Sequence, residues 1–81
     1  MINVDFKILV FISAARHLNF TRAAKEMNIS QPAVTKNIQE LESQAGRNLF
    51  ERNGHRISLT KAGELFLGHA QKITAAYEDF N

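Results

Sequence analysis

The chain has 81 residues, a formal net charge of +2 at pH 7 and no cysteine. A chain of this length has room for one thin hydrophobic core, so a single small domain is expected. The lack of cysteine excludes disulfides and thiolate metal sites, and no apolar run approaches the roughly 20 residues that cross a bilayer.

Charge is distributed unevenly along the chain. Eight of the ten basic residues lie between Arg16 and Lys61, together with four of the eight acidic ones, so the middle is basic and the rest of the chain, taken together, is slightly acidic. A basic region of this kind favours a polyanionic partner, although ordinary solvated charge gives the same pattern. The N-terminus shows no targeting segment, and we expect a cytoplasmic protein.

Two helices are predicted in the first third of the chain. Apolar residues at steps of three and four indicate a first helix from about Val4 to Arg16, and further apolar residues on its other faces suggest that it is covered on more than one side. Asn19 is a suitable N-cap for a second helix from about Phe20 to Met27. The small residues Ala23 and Ala24 would let another helix approach that second helix closely.

A third helix, from about 31 to 45, follows a tight turn. Ser30 is a natural N-cap, Pro32 fits the first turn, and Gly46 fits the position after the last. The buried stripe is expected to contain Val34, Ile38, Leu41 and Ala45. The opposite face and its flank carry polar side chains that can contact base edges in a DNA major groove, chiefly Gln31, Thr35, Lys36 and Gln39. Glu40 and Glu42 would be repelled by phosphate, so the end of the helix that carries them should tilt away from DNA.

This order of capped helix, tight turn and helix with a free polar face predicts a helix-turn-helix, which indicates DNA binding. An ordinary amphipathic helix with a solvated face is the alternative for the third helix taken alone.

A hairpin is predicted after Gly46. Asn53-Gly54 between short apolar runs is a strong hairpin signal, because both residues tolerate positive φ. Arg52 and Arg56 flank the turn, where their guanidinium groups would meet phosphates or a narrow minor groove. A solubilising loop is the alternative.

The last helix should begin at Thr60 as its cap and run to about Asp79. This length, about 30 Å, is too great for the helix to pack wholly on its own domain. A seam of residues at alternating steps of three and four favours pairing with the same helix of a second copy, and a tail folded back over the first helix is the alternative. The seam consists of Phe66, His69, Ile73, Ala76 and Phe80, with Ala62, Leu65 and Tyr77 beside it. His69 is expected to be a packed residue of this stripe.

Several short motifs occur in a characteristic order: FTRAA from Phe20, SQPA from Ser30, LE-x-x-x-G from Leu41, LFER from Leu49 and LT-x-AG from Leu59. Together they closely resemble the N-terminal winged helix-turn-helix domain of LysR-type bacterial transcriptional regulators, and the resemblance covers essentially the whole chain. One departure is Thr35-Lys36-Asn37, where that family most often has Ser-Arg-Gln. Lysine lacks the planar fork of arginine, so base preference at that position is open.

The resemblance implies a mainly α fold, with a three-helix winged helix-turn-helix and a short β-hairpin wing over residues 1–60, and a linker helix for dimerisation over residues 61–81. It implies sequence-specific binding of double-stranded DNA as a homodimer, at an interrupted inverted repeat, with residues 31–45 in the major groove and the wing, 52–56, on flanking DNA. The expected DNA contacts are Thr21, Arg22, Ser30, Gln31, Pro32, Ala33, Thr35, Lys36, Gln39, Arg52 and Arg56. The expected dimer contacts are Phe66, His69, Ile73, Ala76, Tyr77 and Phe80. A small-molecule effector would bind only to a C-terminal domain that this chain lacks, so the chain is expected to be the DNA-binding part of a longer regulator.

Two other classes of function are alternatives to DNA binding. A helical module that binds another protein is the main rival, since fold alone does not settle function. An enzyme is not expected, because His17, His55 and His69 are widely spaced and no nucleophile motif or Gly-rich phosphate loop occurs. The sequence therefore indicates no catalytic residue, metal, cofactor or membrane partner.

Overall fold

In a computed structural model, residues 5–80 are described, with side chains described as far as Ala76. Their elements are the helices α1 (Phe6–His17), α2 (Phe20–Met27), α3 (Gln31–Ala45) and α4 (Lys61–Phe80), and the strands β1 (Phe50–Asn53) and β2 (Arg56–Leu59). The mainly α fold with a two-stranded wing is as predicted. The bounds of the second and third helices match the prediction; the first helix ends one residue later, and its predicted start at Val4 lies outside the described residues.

Each helix begins at a side chain that accepts a backbone N–H. Asn19 Oδ1 accepts from Arg22 at 2.9 Å, Ser30 Oγ from Ala33 at 3.2 Å, and Thr60 Oγ1 from Gly63 at 2.9 Å. Asp5 caps α1 in the same way through the N–H of Lys7 at 2.8 Å. These caps fix where each helix starts and hence how the turns between them run.

The first three helices end in the left-handed region of backbone space. Gly46 has φ 69°, as expected for a glycine after a helix, and Asn28 has φ 58°. Leu18 has φ 47°, a conformation that costs a leucine about 1–2 kcal/mol. The sharp bend at Leu18 turns the chain directly from α1 into the cap of α2.

An aromatic cluster joins four elements in the core. The fully buried Phe11 of α1 has its ring centroid 5.4 Å from that of Phe50 in β1 and 4.9 Å from that of Phe66 in α4. Phe20 of α2 lies 5.4 Å from Phe50. Ala23 is fully buried, which lets α2 pack closely on its neighbours. The core therefore ties the wing and the first part of α4 to the three-helix body.

The hairpin forms with a register that differs in detail from the prediction. Asn53 pairs with Arg56, so the two-residue turn is Gly54-His55, and Gly54 has the positive φ of 66° whereas Asn53 does not. This pattern fits a type II′ turn with glycine first. The prediction that Asn53 is one of the two central turn residues was therefore wrong. Arg52 and Arg56 belong to the strands.

The base of the wing is joined tightly to α4. The N–H of Thr60 donates to the carbonyl of Leu49 at 3.0 Å, and the Thr60 hydroxyl donates to the carbonyl of Asn48 at 2.7 Å. A Cβ on Gly63 would lie 2.1 Å from the Leu49 oxygen, so only glycine fits. The contact fixes the rotation of α4 about its axis.

That rotation divides α4 into two faces. Phe66 packs on Phe11 and Ala70 is buried, so this part of α4 lies against α1 and Phe66, which was expected to face a second copy, contributes to the core of its own chain. Leu65 is 63% exposed and Ile73 is 40% exposed. His69 is also exposed, whereas it was expected to be a packed residue. Tyr77 and Phe80 lie outside the residues whose side chains are described. In the described part of the chain no helix is long and apolar enough to cross a membrane.

Candidate nucleic-acid interface

The first half of α3 presents its polar face to solvent. Val34, Ile38 and Leu41 are buried at 0%, 2% and 6% exposure, which confirms most of the expected stripe, although Ala45 is exposed. On the opposite side the exposed residues are Gln31, Pro32, Lys36 and Gln39, with Ala33 and Thr35 half-buried beside them. The amide of Asn37 donates to the carbonyl of Ala33 at 2.8 Å and so stays on the helix. The helix thus leaves two amides, one hydroxyl and one ammonium group for a partner.

Both carboxylates of the second half of α3 are engaged with the body. Glu40 lies 3.3 Å from the Nζ of Lys7 on α1. Glu42 Oε2 accepts the backbone N–H groups of Leu49 and Phe50 at 2.8 and 3.3 Å. Both carboxylates thus have partners within the chain, and the tilt of the acidic end of α3 away from DNA stays a prediction. The role of Glu42 at the entry to the wing was missed, and the only sequence signal is a helical carboxylate a few residues before a strand.

A cluster of polar groups holds α2 against α1. The buried Ser13 hydroxyl donates to Glu26 Oε1 at 2.5 Å, and Arg16 donates to the same oxygen at 3.1 Å. His17 Nε2 lies 3.3 Å from that oxygen but is not aligned for a hydrogen bond. The Ser13 hydrogen bond, with help from the positive charge of Arg16, holds the pKa of Glu26 below its ordinary value. Thr21 and Arg22 of α2 remain exposed, as does Ser30, the cap of α3.

The two arginines of the wing point to opposite faces of the hairpin. Residues paired across strands share a face, and faces alternate along a strand. Arg52 therefore lies on the face of the buried Phe50, whereas Arg56 lies on the outer face with Asn53. The guanidinium carbon of Arg52 lies 5.2 Å from the Phe20 ring centroid, within the range of a cation–π contact. Arg52 also lines a small depression with Thr35 and Gln39, so it lies on the same side of the molecule as the polar face of α3.

A concave pocket of about 180 Å³ separates the wing from the starts of α2 and α3. We call it the wing pocket; its lining residues are Leu18, Asn19, Phe20, Thr21, Gln31, Arg52, His55 and Ile57. Three expected DNA contacts from three different elements therefore converge there: Thr21, Gln31 and Arg52. His55 joins them, although it was not among the expected site residues. Neither here nor in the rest of the described chain could a group of three His, Asp or Glu residues hold a metal ion.

Comparison with known proteins places this arrangement in a family. Residues 7–64 match the bacterial regulatory helix-turn-helix proteins of the lysR family. The chain is 48% identical over 73 residues to the uncharacterised HTH-type transcriptional regulator YwqM of Bacillus subtilis strain 168, covering 90% of this chain and 25% of that protein. It is 46% identical over 70 residues to the HTH-type transcriptional regulator CbbR of Rhodospirillum rubrum, covering 86% of this chain and 24% of that protein. The DNA-binding domain of CbnR, solved in a complex with DNA, superposes with a TM-score of 0.86 at 36% identity, over 94% of this chain and 88% of that one. The chain spans about a quarter of the length of the curated relatives it matches.

Proposed function

The chain belongs to the LysR family of bacterial helix-turn-helix regulators, and from this membership we propose that it binds double-stranded DNA sequence-specifically as the DNA-binding part of a transcriptional regulator. One observation carries the proposal: the exposed polar half of α3 and the Arg52 side chain lie on one side of the molecule. The likeness to the CbnR domain, which was solved with DNA, supports the same function.

Base edges are contacted by the first half of α3. A major groove about 12 Å wide admits a helix, and the amino end of α3 lies at the surface, where Ser30, Gln31 and Pro32 are exposed. Gln31 and Gln39 pair with adenine, Lys36 donates to guanine acceptors, and the Thr35 methyl group meets thymine. Pro32 and Ala33 fill the space between these side chains and the base edges.

Backbone phosphates are contacted by the elements around α3. Thr21, Arg22 and Ser30 are exposed, and Thr21 lines the same pocket as Gln31 at the start of that helix, so their donors can reach a phosphate backbone. Arg52, held against Phe20, points to the same strand, and Arg56 on the outer face of the wing contacts flanking DNA. These contacts position the protein and supply most of its sequence-independent affinity.

Residues 1–60 form the DNA-binding unit and residues 61–81 the linker helix of a homodimer. The exposed face of α4 offers Leu65, His69, Ile73 and Ala76 to a second copy, while Phe66 serves the core of its own chain. Two copies related by a twofold axis contact an interrupted inverted repeat. The relatives are more than three times as long as this chain, and an effector would act through the additional part of such a protein.

The test is the salt dependence of binding to a duplex selected from random sequences. Affinity should fall steeply with salt concentration, and Lys36→Ala should reduce the slope of log affinity against log salt by about 0.9. Lys72→Ala is the matched control, because Lys72 is exposed on α4 and outside the proposed contacts. Equal slopes for Lys36→Ala and the unchanged chain would remove Lys36 from the interface. A salt-independent affinity of the unchanged chain would contradict DNA binding and favour a protein-binding module.

A further inference from the structure

The guanidinium group of Arg52 lies against an aromatic ring and not against a carboxylate. Its central carbon is 5.2 Å from the ring centroid of Phe20. Within the described residues this group forms no ion pair and no side-chain hydrogen bond, whereas Arg16 is bound to Glu26 at 3.1 Å. Because Arg52 is otherwise exposed, the ring of Phe20 is the contact that holds its long side chain.

Carboxylates are nonetheless close to Arg52. It lines the wing pocket and two further depressions, and these two include carboxylates, Glu42 in both and Glu51 in one. A carboxylate would occupy the N–H donors of an arginine and cancel its charge. An aromatic ring attracts a cation through its quadrupole and carries no net charge. The contact with Phe20 therefore orients Arg52 and leaves its positive charge and its donors for an anion.

The ring of Phe20 is itself fixed by the core. Phe20 is the first residue of α2, directly after the cap Asn19, and is only 9% exposed. Its ring centroid lies 5.4 Å from that of Phe50, at an interplanar angle of 85°, and Phe50 packs in turn on the fully buried Phe11. A side chain held against this ring is therefore positioned by the body of the domain as well as by its own strand.

The contact places Arg52 beside the polar face of α3. Arg52, Phe20, Thr35 and Gln39 line one depression, and Thr35 and Gln39 are proposed base contacts. A phosphate next to the bases that α3 contacts would thus meet a guanidinium group at this place. An arginine that is already ordered avoids most of the entropy cost of being immobilised on binding.

We propose that Phe20 is a positioning residue for DNA binding, whose ring orders Arg52 before DNA arrives and keeps its guanidinium group away from carboxylates. The proposal rests on the proposed DNA-binding function and adds a residue that acts through Arg52 without contacting DNA. It also connects the start of the FTRAA motif with the end of the LFER motif. The affinity that Arg52 supplies should therefore depend on the ring at position 20.

The first test measures the order of the Arg52 side chain in the absence of DNA. In ¹⁵N relaxation of the arginine Nε–H groups, Arg52 should be more ordered than Arg56, which lies on the outer face of the wing and has no aromatic contact within the described residues. Phe20→Leu should make Arg52 as mobile as Arg56. Equal mobility of the two arginines in the unchanged chain would overturn the proposal without any variant having to fold.

The second test is a double-mutant cycle on the affinity of the 81-residue chain for one selected duplex, at constant ionic strength. Arg52→Ala should weaken binding about tenfold, and Phe20→Leu, which keeps the charge but frees the side chain, about fivefold. The double variant should bind no more weakly than Arg52→Ala, because the change at position 20 acts through Arg52. Losses that multiply to about fiftyfold would mean that Phe20 acts in another way and would overturn the proposal.

Two further variants separate orientation from packing. Phe20→Tyr keeps an aromatic ring and should bind within about twofold of the unchanged chain. Phe11→Leu removes a ring of the same cluster that has no contact with a cation in the described chain. It should lower the melting temperature and bind normally at a temperature where it is folded. If Phe11→Leu weakens binding as much as Phe20→Leu does, lost packing explains the effect and the proposal is wrong.

The outcomes distinguish the positioning role from the proposed function. Absence of duplex binding by the unchanged chain would overturn both of them, even if Arg52 is ordered. Normal duplex binding by the unchanged chain and equally tight binding by Phe20→Leu would overturn the positioning role alone.

Discussion

The two halves of α3 differ in where their polar groups are directed. In the first half, Gln31, Lys36 and Gln39 are exposed and form no side-chain hydrogen bond within the described residues. In the second half, Glu40 pairs with Lys7, and Glu42 accepts two backbone N–H groups at the start of the wing. One helix therefore keeps its polar groups free for a partner at one end and uses them to hold the fold at the other.

This division also reduces the electrostatic repulsion between the carboxylates of α3 and DNA phosphates. A helix with two carboxylates would be a poor choice for a groove lined with phosphates. Because Glu42 is turned into the body and Glu40 is paired, the negative charge of α3 lies away from its amino end. The difference predicts that substitutions in the second half of α3 change stability and those in the first half change binding.

Glu42→Ala should have the largest effect on stability. It removes the acceptor of the Leu49 and Phe50 N–H groups, which are part-buried, and the free energy of unfolding should fall by about 2 kcal/mol. For a domain of this size the melting temperature should fall by about 10 °C, which circular dichroism can measure. Glu40→Ala is the control, because its surface ion pair with Lys7 contributes less than about 1 kcal/mol. Equal losses for the two variants would break the comparison.

Local signals made the helices predictable. Ser30, Pro32 and Gly46 act within a few residues of themselves, so the bounds of α3 follow from the chain alone. The partner of Glu42 does not, because its acceptor role depends on where the following strand lies in space.

Faces that depend on packing were harder to predict. The periodicity of α4 predicted a seam of residues on one face but not how the helix is rotated about its axis. The tight contact of Gly63 with Leu49 sets that rotation, so that Phe66 faces inward and Leu65 outward. The wing illustrates the same limit, because a shift of one residue in hairpin register exchanges the two faces. The positions of Arg52 over Phe20 and of Arg56 on the outer face therefore required the observed register.

Gln31→Ala tests the other half of α3. It should weaken binding to the selected duplex about tenfold, the cost of losing one bidentate base contact, and leave the melting temperature unchanged because Gln31 is exposed. Fluorescence anisotropy measures the affinity. Ser43→Ala, an exposed position in the second half of the same helix, is the matched control and should bind normally. A loss of thermal stability in Gln31→Ala would mean that the residue supports the fold and that the two halves are not separate.

The smallest expected effect concerns Glu26, which holds α2 to α1 as Glu42 holds α3 to the wing. Its pKa is lowered in the folded chain, chiefly by the Ser13 hydroxyl, so its contribution to stability is present above the ordinary glutamate pKa and is lost as the pH falls through the folded value. Glu26→Gln should therefore melt a few degrees lower than the unchanged chain at pH 7, and the two melting temperatures should converge as the pH falls below the ordinary glutamate pKa of 4.5. Glu51→Gln, at an exposed position on the outer face of the wing, should melt like the unchanged chain throughout. A constant gap between Glu26→Gln and the unchanged chain at every pH would show that packing, and not the charge of Glu26, joins α2 to α1.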